Sequence, residues 1–167
     1  MNTDNTQPGA IRRKDREIAD LNEILDLLKQ CKVCRLALCM NNKPYIVPLN
    51  YGYTYADNKL TLYFHSALVG RKIDMLRANP RVCFETDTGH ELVRGETACT
   101  YSFRYASVIG SGCILFIDDK DEKISALNIL MRRQSGEDRD FIFNDADIEK
   151  VLVYKLIVEE FTGKRHL

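Results

Sequence analysis

The chain predicts a mainly β fold: a small closed or partly closed antiparallel barrel of about seven strands, with helices set around it. Three observations carry this. Two hairpins follow one another across the asparagine-containing turns at 41–44 and 56–59, β-prone segments recur along the chain, and helical spacing is confined to a few isolated stretches. Strands and helices do not alternate as a parallel α/β sheet requires. With 167 residues and 45% hydrophobic content, the chain is one domain with a real core. Its 24 basic and 24 acidic residues cancel, which removes the broad positive field of a general DNA-binding domain. No apolar run reaches the ~18 residues of a membrane span. The N-terminal stretch MNTDNTQPGAIRRKDREIADL has no hydrophobic centre of a signal peptide. A cytoplasmic protein without nucleic-acid or membrane partners is expected.

Residues 1–10, polar and carrying Pro8 and Gly9, read as a disordered lead to a single domain over 11–165. Leu21, Ile24, Leu25 and Leu28 recur at helical spacing and place a helix at about 19–30. The period then changes to two. In VCRLALCM, Cys34, Leu36, Leu38 and Met40 share one face of a strand over 33–40. Tyr45–Tyr55 reads as one long aromatic-rich β stretch in which Pro48, unable to donate to a ladder, marks an edge, a bulge or a ligand contact. After the next turn comes a strand over Leu60–His65.

Ser66 then reads as the N-cap of a crossover helix carrying Leu68, Ile73 and Leu76 on one side and stopped by Asn79-Pro80. Three more strands are expected at Arg81–Thr88, Leu92–Thr100 and Ala106–Ile117, with a turn near Gly89. A helix spans 119–133 behind the acidic start Asp118-Asp119, a loop or short helix fills 134–149, and a final strand runs over Val151–Glu159 before a basic tail.

The most unusual charge pattern is FHSALVGRKIDMLRANPR, where Arg71, Lys72, Arg77 and Arg81 outweigh Asp74. Arg71 and Lys72 are adjacent on the helix and can both reach one phosphate near its first turn. Composition alone favours a plain solvated helix face. Gly70 tilts the balance towards a site, because glycine in a short helix is destabilising and often marks close approach. His65, just before this helix, is either a histidine satisfied at a strand end or a group that bonds a ring or moves a proton near neutral pH. The Cys31-x-x-Cys34 spacing suits half a zinc site or a redox pair. No matching half exists, and Cys31 follows a helix rather than starting one, so ordinary thiols and no metal are expected. Gly110 and Gly112 lie inside a strand and read as a bulge or close backbone packing, not as a phosphate loop.

Several phrases together, RRKDREI, YIVPLNYGY, LYFHSALVGRKIDMLRANPRVCFE, and YASVIGSG followed by DDKDEKISALNILM, resemble the nitroimidazole-resistance branch of the pyridoxamine 5'-phosphate oxidase-like FMN-binding split barrels. The resemblance covers about Ile11 to Arg165. It implies a six- or seven-stranded antiparallel Greek-key split barrel with peripheral helices, forming a homodimer with FMN at the subunit interface.

Residue by residue, the resemblance puts Arg71 and Lys72 on the FMN phosphate. Gly70 stands where the oxidases have a serine, with Ser66 a substitute donor. Val47, Pro48, Leu49 and Asn50 lie along the ring, His65 beside the flavin and the open substrate space as the catalytic group, and Ser107 is a contact from the partner region. Part of Tyr45–Tyr55 is assigned to the subunit contact, because its rings exceed what one small barrel hides. The oxidase's own substrate phrases are missing, which disfavours vitamin B6 synthesis. The implied activity is a flavin-dependent oxidoreductase passing electrons from NADH, NADPH or another donor to a small acceptor, a nitroimidazole among the candidates. A flavin-binding carrier or sensor without turnover, and a general flavin reductase, are the alternatives.

Overall fold

A computed structural model describes residues 12–166; the lead expected at 1–10 lies outside the described residues. A short 3-10 turn and strand β1 (Glu17–Ile18) lead into helix α1 (Leu21–Gln30). The Asp20 carboxylate caps α1 by accepting from the Asn22 N–H at 2.9 Å, and Ile24 and Leu28 are its buried face. The helix packs on the sheet where the leucine spacing predicts.

Strands β2 (Val33–Met40) and β3 (Lys43–Asn50) form a hairpin, as do β4 (Gly52–Ala56) and β5 (Lys59–Ala67). Both turns use two residues of positive φ, Asn41 and Asn42 in one and Asp57 and Asn58 in the other. Asparagine and aspartate tolerate this left-handed conformation, which gives a two-residue loop the twist of the strands it joins. Helix α2 (Arg71–Ala78), β6 (Arg81–Val93), β7 (Ser102–Ile117), helix α3 (Lys120–Ser135), helix α4 (Asp145–Glu149) and β8 (Val151–His166) complete the order.

The strands run β3-β2-β6-β7-β8-β5-β4, every pair antiparallel, with β1 added beside β8. The main path holds seven strands, the number expected, but by two offsetting differences: the stretch expected over Tyr45–Tyr55 supplies two of them and the strand expected over Leu92–Thr100 is missing; the two-residue β1 is an eighth. The two ends of this path, β3 and β4, are consecutive in the chain and separated only by Tyr51. A sheet whose opposite edges are joined by one residue must curl until they meet, so the fold is a barrel split along the β3/β4 seam. The single stretch expected over Tyr45–Tyr55 is therefore cut at Tyr51, which is wholly buried with its hydroxyl donating to the Leu28 carbonyl at 2.8 Å. Pro48 lies on the edge strand β3, where a missing N–H costs no ladder bond.

Arg133 ties the seam to two helices. Its guanidinium lies 4.5 Å from the Tyr51 ring centroid and donates to the carbonyls of Leu28, Lys29 and Cys31 at the end of α1. Gly52 lets α3 approach. A Cβ there would lie 2.8 Å from the Leu130 backbone nitrogen and 2.9 Å from an Ile129 methyl. Gly52→Ala should therefore lower stability by roughly 1–2 kcal/mol through overpacking, read as a lower denaturant midpoint at unchanged slope.

Four element assignments are corrected. The helix expected from Ser66 begins at Arg71. Ser66 continues the inward face of β5 after Leu62 and Phe64, and the N-cap is Gly70, which caps with no side chain. Leu68 is accordingly exposed. Gly89 does not end a strand. At φ +72° it sits in a register shift between Thr88 and Glu91, so β6 runs on to Val93. Residues 94–101 form no strand but hold a 3-10 turn, Ala98–Thr100, closed by a Thr97/Thr100 capping box. The basic tail belongs to β8, whose 16 residues match the 16 of β7 along one ladder.

Other expectations hold. Asp119 caps α3 through the Glu122 N–H, and a register shift falls between Ser111 and Gly112. A Cβ at Gly110 would meet the Phe84 ring at 2.5 Å. Cys34 lies wholly inside the barrel, and burial pushes its thiol up to about 12. Native protein treated with iodoacetamide at pH 8 should be modified at exposed Cys39 well before Cys34; equal rates would contradict this packing.

Candidate functional site

The cationic pair opens α2. Arg71 and Lys72 follow Gly70, whose φ of +136° turns the chain from β5 into the helix. No side chain caps this end. The Gly70 carbonyl accepts from Ile73 and Asp74, which leaves the Arg71 and Lys72 amides without an intrahelical partner. Among the described residues neither the Arg71 guanidinium nor the Lys72 ammonium has an acidic partner, whereas Arg35, Arg81, Arg104, Arg132 and Arg165 are each held by a carboxylate. Two cations and free amides at a helix start are a chemical fit for a phosphate dianion.

A third predicted residue, His65, lies within electrostatic reach of Lys72. His65 is exposed on the outer face of β5, the face opposite Phe64 and Ser66. Its pKa lies below the ordinary histidine value, first because surrounding protein desolvates the ring and second because the Lys72 charge repels a proton. The imidazole is thus mainly neutral at pH 7. Arg71 faces the beginning of β3, with its guanidinium carbon 4.4 Å from the Tyr45 ring centroid. Tyr45 is the site neighbour the sequence reading did not single out. Its only signal was its place at the head of YIVPLN.

From Tyr45 the strand leads away from α2. Val47 and Leu49 turn their side chains toward the core, so only their backbone can meet a ligand, while Pro48 and Asn50 point outward. The Asn50 amide is bonded to the Lys32 carbonyl at 3.3 Å and the Gln134 side chain at 3.2 Å. β3 is an edge, so its outer backbone groups are open along this length.

Ser66 is removed from the phosphate group of residues. It is 9% exposed, turned into the barrel, and its hydroxyl donates to the Ala67 carbonyl. Ser107 is not brought to the site within one chain. His65 pairs with Val153, which pairs with Ile117, and Ser107 lies ten residues back along β7 from that row, roughly 30 Å at ~3.3 Å per residue.

The Tyr45–Tyr55 segment, part of which is expected at a subunit contact, hides most of its ring surface and leaves Ile46 63% exposed. Tyr51 is buried, and Tyr45, Tyr53 and Tyr55 pack against the core. Other exposed apolar side chains on the sheet include Leu92 on β6 and Phe103, Ile109 and Leu115 on β7.

Two further clusters have structural explanations. On the outer face of β2 and β6, Arg35 bonds Glu85 and Asp87, and Asp87 bonds His90 at 2.7 Å. A cavity of about 790 Å³ lies between the C-terminal ends of α1 and α3. Its cations answer the negative ends of two helices. Lys32 donates to the Arg133 carbonyl at 2.6 Å, Arg133 caps α1, and Arg132 pairs with Asp140. No group of three His, Cys, Asp or Glu side chains placed to hold a metal occurs among the described residues. No helix among them is long and apolar enough to cross a membrane.

Comparison with known proteins agrees with this fold. A solved structure of a proposed 5-nitroimidazole antibiotic resistance protein from Bacteroides thetaiotaomicron is 37% identical, with 89% of this chain and 86% of that one covered at a TM-score of 0.77. The flavocytochrome Anf3 of Azotobacter vinelandii shares the fold at 19% identity, covering 95% of this chain and 72% of that one at a TM-score of 0.77. An FAD-binding protein of Mesorhizobium loti shares it at 24% identity, covering 91% and 98% at a TM-score of 0.64. Among curated proteins, an uncharacterized protein of Rhizobium meliloti is 43% identical over 53 residues, which span 32% of this chain and 32% of that relative. The family model described as pyridoxamine 5'-phosphate oxidase matches residues 20–165. With a barrel split at Tyr51 and an open cationic helix start beside His65, the chain belongs to the pyridoxamine 5'-phosphate oxidase-like split-barrel family, on its nitroimidazole-resistance branch.

Proposed function

We propose that the protein is an FMN-dependent oxidoreductase that passes electrons from NADH, NADPH or another donor to a small acceptor, with nitroimidazoles among the acceptors it reduces. The observation that carries this reading is the uncapped start of α2, where Arg71 and Lys72 stand without acidic partners beside an exposed His65. The family match and the flavin named for proteins of the same fold support it. In this reading Arg71 and Lys72 hold the flavin phosphate, and the open edge of β3 over Val47–Asn50 offers backbone groups to the ring. When bound, the flavin supplies two-electron exchange between donor and acceptor. His65 hydrogen-bonds the acceptor or hands it a proton, which its place beside the clamp allows.

The working form in this proposal is a homodimer. Ile46 on β3, Leu92 on β6, and Phe103, Ile109 and Leu115 on β7 are exposed apolar side chains that a two-fold contact would cover. Ser107, which stands far from the site of its own chain, is assigned in this proposal to the cleft of the other subunit.

The test is an anaerobic titration of the flavin-loaded protein with NADH and NADPH, followed by addition of a 5-nitroimidazole, with light scattering on the same sample. Bleaching of the flavin absorbance by a nicotinamide and its return on adding the nitro compound, in a dimer, are the expected results. Flavin that is bound but never reduced would replace the enzyme reading with a carrier or sensor. A monomer at micromolar concentration with FMN bound would remove the shared cleft.

A further inference from the structure

Arg71 is exposed on the surface, yet it is not free to sample the rotamers that an arginine there would have. Its guanidinium lies 4.4 Å from the centroid of the Tyr45 ring, inside the range in which a cation is drawn to an aromatic face. The ring is itself fixed. Tyr45 is half-buried, packs against the barrel core, and pairs across the β2/β3 ladder with Leu38, which is 2% exposed. A stiff support therefore lies under a long flexible side chain.

We propose that Tyr45 is a positioning residue: its ring holds the Arg71 guanidinium at the start of α2, so that a phosphate meets a clamp already oriented. The inference rests on the phosphate reading of Arg71 given above and adds a residue to it.

The chemistry of the pair favours this role. A guanidinium drawn to an aromatic face through its plane keeps its N–H edge open for a planar two-point contact with phosphate oxygens. The carboxylates that hold Arg35, Arg81 and Arg132 would instead compete with phosphate for those same N–H groups. An aromatic face restrains the cation without using its donors or cancelling its charge. Restraint before binding lowers the ordering cost that a mobile arginine incurs when the ligand arrives. Tyr45 reaches Arg71 across 26 positions of sequence and ties the edge strand β3 to α2, the two elements between which the flavin is proposed to lie.

The experiment compares FMN with riboflavin, which lacks the phosphate, by flavin fluorescence titration. The proteins are the wild type, Tyr45→Phe, Tyr45→Leu, Arg71→Ala and the double variant Tyr45→Leu/Arg71→Ala. Leucine keeps apolar bulk and removes the ring; phenylalanine keeps the ring and removes the hydroxyl. Tyr45→Leu should weaken FMN about threefold to tenfold, the range of a partly desolvated cation–aromatic contact, and leave riboflavin within about twofold. Tyr45→Phe should match the wild type for both ligands. In the double variant, loss of the ring should have no further effect, because the partner it orients is gone.

Melting of the ligand-free proteins accompanies the titrations, so that a folding defect is read separately. An unchanged FMN affinity in Tyr45→Leu, equal losses for the two flavins, or full additivity in the double variant would each overturn the inference while leaving the clamp intact. If Arg71→Ala itself weakens FMN and riboflavin alike, the phosphate reading fails instead.

Discussion

His65→Ala should lower nitro-compound turnover by about 10²-fold, the lower end of what a positioned proton donor contributes, while FMN affinity stays within about tenfold. The structure sets this expectation because His65 is exposed beside the cationic pair without being part of the barrel's core. Its depressed pKa fixes the pH dependence. If the imidazolium delivers the proton, wild-type turnover rises as pH falls below about 6.5 toward the lowered folded value, and the variant lacks that rise.

Stability moves the other way. The unfolded histidine binds its proton at a higher pH than the folded one, so below about 6.5 the unfolded state gains more protons and stability falls with pH. The loss stops once pH passes below the folded value. His65→Ala should flatten this part of the stability profile. Stopped-flow kinetics between pH 5 and 8 and denaturation over the same range check the two signs; unchanged turnover in the variant removes His65 from the chemistry.

Arg71→Ala should weaken FMN by about 30-fold, roughly 2 kcal/mol, which is the scale of a charge-assisted hydrogen-bonded contact to a phosphate. Riboflavin should scarcely respond. The selectivity follows from the position of Arg71, which touches only Tyr45 among the described aromatic rings and has no acidic partner among the described residues. Its removal therefore leaves no buried charge stranded and should cost the ligand-free fold little. Parallel fluorescence titrations with the two flavins separate this outcome from general damage, which would lower both affinities.

Local rules made much of this molecule readable. The alternation in VCRLALCM places Cys34, Leu36 and Leu38 inside the barrel as buried residues. Asn41-Asn42 and Asp57-Asn58 supply the two left-handed turns, and Pro48 falls on an edge. Asp20 and Asp119 cap their helices. Each of these depends on a residue and its near neighbours, which is what a sequence displays.

The errors arose where tertiary pairing overrode the local signal. Ser66 has the side chain of an N-cap, but β5 extends through it against β8, where it pairs with Leu152. The true cap, Gly70, has no side chain to announce it. Gly89 reads as a turn until the long partner strand β7 is present to carry β6 past it in a bulge. The burial of Tyr51 is not announced by its aromatic run, because nothing local says that Arg133, 82 residues later, lies on that ring at the seam. For the site, the adjacent pair Arg71 and Lys72 was legible, whereas the support from Tyr45 exists only once β3 and α2 have been folded together.

The central claim is that the start of α2 holds a flavin by its phosphate, and changing the ligand tests it more directly than changing the protein. Titrating the wild-type protein with FMN and with riboflavin under identical salt compares the same ring with and without that group. FMN should bind at least about 30-fold more tightly, and its advantage should shrink as salt screens the two cations. Equal affinity for FMN and riboflavin, unaffected by salt, would contradict the assignment of Arg71 and Lys72.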